Sequence, residues 1–304
     1  MTPDQTREIF EKVRQIEIRT SRLARDTFAG QYHSVFKGRG MDFDEVREYV
    51  PGDEIRSIDW NVTARTGRPF VKKYTEEREL TILFLVDVSK SGLFGSQAGS
   101  KLDLVLEVAA LLMLSAQKNN DKIGLLLFAD EVKSYFPPRK GRVASGRLLR
   151  ELVAAEPEDD APVSGAHGAR TDLAGALSFI SRVQRRRAVV FVISDFLDID
   201  FTRELRVANA RHDVVAITVT DPRELELPSV GFVTLRDPET GEMIEVDTHH
   251  PRVRSLFAEG AASRVKALGD ELRRSGVDEL AVRTDQPYTS TLHRFFRMRE
   301  SRQR

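Results

Sequence analysis

The chain contains no cysteine. Disulfides, thiolate metal sites and a cysteine nucleophile are therefore excluded, and a reducing compartment is the natural expectation. Net charge is absent too: 47 Lys and Arg balance 47 Asp and Glu. Bulk electrostatics thus gives no reason to expect nucleic acid or a membrane surface as a partner. Long apolar runs are missing. The longest, VAALLMLSA at 108–116, is too short to span a bilayer. The N-terminal stretch MTPDQTREIFEKVRQIEIRT has no signal-peptide core. The expectation is a cytoplasmic protein without a membrane span. Histidine is sparse and scattered over positions 33, 167, 212, 249, 250 and 293. Tryptophan occurs once, as Trp60.

What is present suits a folded protein: 304 residues, 40% hydrophobic and 31% charged, enough for one large domain or two smaller ones. Residues 4–28 place Ile9, Phe10, Val13, Ile16 and Leu23 at roughly helical spacing, which predicts an amphipathic helix. Residues 30–78 read as a small β-rich module, punctuated by turns at Pro51-Gly52-Asp53 and Thr66-Gly67-Arg68-Pro69. From residue 80 strands and helices alternate. Strands are predicted at 80–87, 122–130, 132–136, 188–195, 213–220 and 278–283. Helices are predicted at 102–119, 141–155, 172–184, 201–211, 252–274 and 288–298. Residues 231–248 break the rhythm and read as a β-hairpin turning at Pro238-Glu239-Thr240-Gly241. The fold class expected is α/β: a doubly wound, mostly parallel sheet with helices on both faces. The expected division is residues 1–79 as the helix and β-module, and 80–304 as the α/β domain.

In such a sheet, ligands sit beyond the carboxyl ends of the strands. Two apolar strands end in aspartate here, at Asp87 and Asp195, and Thr171-Asp172 opens a helix. If those strands are neighbours, Asp87, Ser89, Ser91, Thr171 and Asp195 converge. Hydroxyls and carboxylates without imidazole or thiolate make a hard-oxygen site that prefers Mg²⁺, with Mn²⁺ or Ca²⁺ as alternatives. Ser and Asp also serve as ordinary strand-end and helix-capping residues, so any one of them alone fits a purely structural role. The set is what such a role accounts for poorly.

The pattern Asp87-x-Ser89-x-Ser91, then Thr171, then Asp195 resembles the metal-ion-dependent adhesion site of von Willebrand factor A domains. That resemblance implies a von Willebrand A-like fold. It also implies a Mg²⁺ held by the serines and threonine, with the aspartates acting largely through water and a partner's acidic side chain completing the shell. A second resemblance is more specific. Arg47-Glu48-Tyr49, Gly52-Asp53, Arg56, Ile58-Asp59-Trp60 and Ala64-Arg65 resemble the signature of the bacterial domain of unknown function 58 family. SDFLD at 194–198 and the residues from Thr284 to Phe296 extend that likeness over nearly the whole chain. It implies a MoxR-type AAA+ ATPase as partner, possible company of other von Willebrand A proteins, and chaperone-like assembly or maturation of other proteins. Two positions depart from pattern: Gly92 follows Ser91 where many members carry a bulkier residue, and Arg170 precedes Thr171.

The signature charges Arg47, Asp53, Arg56, Asp59 and Arg65 read either as pairs that fix the module's turns or as a partner surface. Trp60 reads as a core anchor. Enzyme readings fare worse. A haloacid dehalogenase-type nucleophile at Asp87 needs an acid where Ser89 stands. GSQAGSK at 95–101 fails the phosphate-loop pattern because Lys101 is followed by Leu102. No G-x-S-x-G elbow occurs. The expectation is a non-enzymatic, Mg²⁺-dependent protein-binding adaptor with Asp87, Ser89, Ser91, Thr171 and Asp195 as its site. The alternatives are a hydrolase using a Mg²⁺-activated water, and a domain that binds partners without metal.

Overall fold

The computed structural model of the protein describes residues 3–23, 41–76, 79–96, 99–155, 171–197, 200–236 and 243–303. The chain divides into two compact units, residues 1–35 with 81–304, and residues 36–80.

The larger unit is built on a six-stranded sheet. Its strands are β3 (Thr81–Asp87), β4 (Lys122–Phe128), β5 (Val132–Arg139), β6 (Val189–Ser194), β7 (Asp213–Thr220) and β10 (Asp278–Arg283). The order across the sheet is β10-β7-β6-β3-β4-β5. All neighbours run parallel except β5, which pairs antiparallel with β4. The expected α/β class is therefore present. Ile82 to Val86 are all buried, as a strand covered on both faces requires. Leu83 and Leu85 share one core cluster with Leu173, Leu177, Leu205 and Val192. Phe84 stacks on Phe191 of the adjoining strand, with ring centroids 5.3 Å apart. Gly124 in β4 sits tightly: a Cβ there would come 2.9 Å from the Phe136 carbonyl oxygen and 2.7 Å from Leu83 Cδ2. Strand β5 is irregular, with register shifts against β4, and it carries Pro137 and Pro138.

The helices around the sheet are α3 (Lys101–Lys118), α4 (Arg142–Ala154), α5 (Leu173–Val183), α6 (Thr202–Arg211), the short α7 (Pro222–Leu225), α8 (Pro251–Arg274) and α9 (Tyr288–Gln303). The predicted hairpin is present as β8 (Phe232–Arg236) paired with β9 (Met243–Asp247). Its predicted turn, the loop 156–169 and Arg170 lie outside the described residues. The basic C-terminal helix is docked by charge: Arg299 reaches Asp213 at 2.6 Å and Asp278 at 3.0 Å, and Arg302 reaches Asp278 at 2.6 Å.

Helix α1 (Pro3–Leu23) corrects the expected division. The sequence joins it to the β-module, but it packs on α3 and α4 of the larger unit. Val13 and Ile16 are buried, Lys12 pairs with Asp103 at 3.4 Å, and Arg19 pairs with Glu107 at 2.9 Å.

The smaller unit holds β1 (Met41–Glu48), α2 (Trp60–Thr66) and β2 (Phe70–Glu76), with β1 and β2 antiparallel. The signature charges largely fix turns. Arg47 donates twice to Asp53, at 2.7 and 2.6 Å, and Asp53 also accepts from the Val50 amide at 2.9 Å. Asp59 caps α2 by accepting from the Asn61 and Val62 amides. Gly67 ends it at φ 73°, the left-handed conformation glycine tolerates best. Trp60 is not a core anchor: it stands 65% exposed on a helix that buries none of its residues.

Candidate functional site

Strand β3 has neighbours on both sides, β4 and β6, and the chain leaves for β4 before returning to β6. The crevice between β3 and β6 is thus the point where the winding reverses, the place where open α/β sheets bind ligands. Asp87 ends β3, and Asp195 follows the last residue of β6. Beyond Asp87, a short 3-10 turn over Lys90–Leu93 brings Ser91 back beside Ser89. Their hydroxyl oxygens are 2.9 Å apart, and both residues are buried. Asp87 Oδ1 accepts from the Ser89 amide at 2.9 Å, and Oδ2 accepts from the Ser194 hydroxyl at 2.7 Å. Burial pushes the Asp87 carboxyl up to about 6, and the negative charge of Asp195 adds to the rise.

Thr171, also buried, precedes α5 at the same edge. The adjoining Asp172 amide donates to the Ala129 carbonyl just past β4 at 2.7 Å, and its side chain caps α5 at Gly175. All five predicted residues therefore lie along one edge of the sheet. Asp87 bonds Ser89, Ser89 bonds Ser91, and Asp195 acts on Asp87 through its charge. Gly92 is not sterically required: a Cβ there would make ordinary contact with Leu102 at 3.6 Å. Among the described residues, no group of three or more His, Asp or Glu is placed to hold a metal, so a cation here depends on hydroxyl oxygens. The donor set fits Mg²⁺ in that sense: two adjoining hydroxyls lie beside a buried carboxyl that burial and the charge of Asp195 push toward its protonated form.

Sequence reading passes over the groups that brace this edge. Lys101, only 2% exposed, donates to Asp195 Oδ2 at 2.8 Å and to Glu224 Oε1 at 2.6 Å. Burial alone would push its ammonium down, but Asp195 and Glu224 outweigh this and hold it above the ordinary lysine range. A lysine in the first turn of a helix opposes the helix dipole, and that was the available sign that it needed acidic partners. Asp221 is fully buried. It accepts from the Ser96 amide and hydroxyl at 3.0 and 2.6 Å, the Arg223 amide at 2.8 Å and the Thr284 hydroxyl at 2.7 Å. Burial pushes its carboxyl up, yet these donors hold it below the usual carboxylate range. Phe196 follows Asp195 with φ 54°, a left-handed conformation uncommon for a bulky residue. Its amide donates to Ser194 Oγ at 3.1 Å and its ring packs edge-on against Phe201.

The pattern of the family described as "Protein of unknown function DUF58" matches residues 45–267. The chain belongs to this family. Among similar proteins, an uncharacterized protein of Mycobacterium tuberculosis (strain H37Rv) is 35% identical over 284 residues, covering 93% of this chain and 87% of that one. The uncharacterized protein YeaD of Bacillus subtilis is 29% identical over 119 residues, covering 39% of this chain and 28% of that one. Among solved structures, BatB from Bacteroides thetaiotaomicron overlaps at 16% identity and a TM-score of 0.45, covering 73% of this chain and 99% of that chain. The SpRpn10 VWA domain overlaps at 12% identity and a TM-score of 0.36, covering 71% and 95%. At these scores the overlaps carry no weight of their own, and the fold class of this DUF58 protein rests on its sheet. No helix among the described residues is long and apolar enough to cross a membrane.

Proposed function

We propose that the protein is a non-enzymatic adaptor with a von Willebrand A-like adhesion site that holds Mg²⁺ and, through it, an acidic side chain of a partner protein. The observation that carries the reading is the Ser89–Ser91 hydroxyl pair, 2.9 Å apart, beside the buried carboxyl of Asp87. Ser89, Ser91 and Thr171 would hold the ion, and Asp87 and Asp195 would act largely through water. When bound, the cation supplies a positive centre that an incoming carboxylate can complete. The chain's own part is to fix the oxygens. Ser194 and the Ser89 amide orient Asp87, the 3-10 turn after β3 aligns the two serines, and Asp221 ties the Ser96 loop to the β10–α9 turn.

The partner we propose is a MoxR-type AAA+ ATPase, alone or with other von Willebrand A proteins, acting in the cytoplasm on the assembly or maturation of other proteins. Family membership and the cysteine-free composition support this. The test is affinity capture from native lysate with wild-type protein and Asp87→Ala, each with Mg²⁺ and with chelator, analysed by mass spectrometry. Recovery of an ATPase that is lost on chelation and in the variant is the expected result. Equal recovery in all four conditions overturns the reading.

A further inference from the structure

We propose that Lys101 sets the cation affinity of this site, as a built-in counter-charge that keeps one oxygen of Asp195 out of coordination. The inference rests on the divalent-cation reading above and adds a residue to it.

Lys101 stands at the first position of α3, where the helix dipole disfavours a cation, and it is withdrawn from water. A buried ammonium is stable only when paired. Its partners come from two other segments: Asp195 just after β6, and Glu224 in the short helix α7. Asp195 Oδ2 is thereby occupied, while Oδ1 accepts, among the described residues, a long bond from the Leu197 amide at 3.3 Å. Glu224 is fixed in turn, because its other oxygen accepts the Asp221 amide at 2.9 Å. Lys101 therefore joins the carboxylates of Asp195 and Glu224, and Asp195 in turn acts on Asp87 through its charge. Removing Lys101 makes this edge more negative by one charge, and removing the Glu224 charge makes it less negative by one. The two changes must move cation affinity in opposite directions, a signature that loss of packing cannot produce.

The experiment is isothermal titration calorimetry of MgCl₂, and separately MnCl₂, into the full chain. It compares wild type, Lys101→Met and Glu224→Gln, each first shown by circular dichroism to be folded. Lys101→Met is expected to bind about tenfold tighter or more, and Glu224→Gln about threefold weaker or more. If Lys101→Met does not fold, Lys101→Gln takes its place, because its amide keeps a donor toward Asp195 without the charge, and it is held to the same outcome of tighter binding. Wild-type binding with both variants unchanged, or both weaker, overturns the role of Lys101 and leaves the cation reading standing. Binding by Lys101→Met alone supports the role of Lys101 and removes the cation from the wild-type protein. No binding by any form overturns both.

Discussion

Ser194 donates its hydroxyl hydrogen to Asp87 across neighbouring strands, at 2.7 Å, and the same oxygen accepts the Phe196 amide. One small side chain thus holds the central carboxylate and the strained turn that carries Asp195. Ser194→Ala should remove both bonds at once. Leaving buried polar groups unsatisfied costs about 1–3 kcal/mol, so urea denaturation should show a lowered midpoint with an unchanged slope. An unchanged midpoint would mean that water replaces the hydroxyl without loss.

Asp87 makes the metal-free protein pH-sensitive in a defined direction. Its carboxyl is raised from 3.8 to about 6 in the folded state, so folding favours the protonated form. That contribution is complete below pH 3.8 and is lost as pH climbs to about 6, a change of about 3 kcal/mol. In chelator, Asp87→Asn should flatten the fall in stability that wild type shows across this window. A wild-type profile already flat there would contradict the buried, charge-burdened state of Asp87.

Trp60 is the only tryptophan, so intrinsic fluorescence reports one position. At 65% exposure it should emit as a hydrated indole and be quenched readily by iodide. A blue-shifted, protected emission from the full chain would show that the indole is covered in solution.

Gly124 leaves no room for a methyl group between Leu83 and the Phe136 carbonyl. Gly124→Ala should destabilise the sheet by about 1–3 kcal/mol through displacement of β3 or β5, read as a lowered melting temperature. An unchanged melting temperature would show that β5 shifts freely.

The central strands were legible because a strand buried on both faces must be apolar throughout. TILFLVD, VVFVIS and the core of β7 cannot be written another way. The edge residues Asp87, Ser89, Ser91, Thr171 and Asp195 were legible because polar residues interrupt those runs where the strands end. Lys101 was not, because its meaning lies in Asp195 and Glu224, which follow it by 94 and 123 positions. Helix α2 was missed, since residues 30–78 read as a β-rich module; its caps, Asp59 and Gly67, were the available sign in a segment of mostly poor helix formers. The exposure of Trp60 was misread because large aromatics are buried on average. The apolar face of α1 was legible from Val13 and Ile16, but which helices it covers was not, because its partners α3 and α4 lie about a hundred positions further on.

Strand β5 has a consequence for how this protein can associate. It lies at the rim of the sheet, out of step with its neighbour, and Pro137 and Pro138 give it two residues without an N–H. A rim of this kind is a poor template for another strand. Copies of the protein are thereby discouraged from zipping rim to rim into extended ribbons through β5, even though the sheet's interior is among the most apolar parts of the chain.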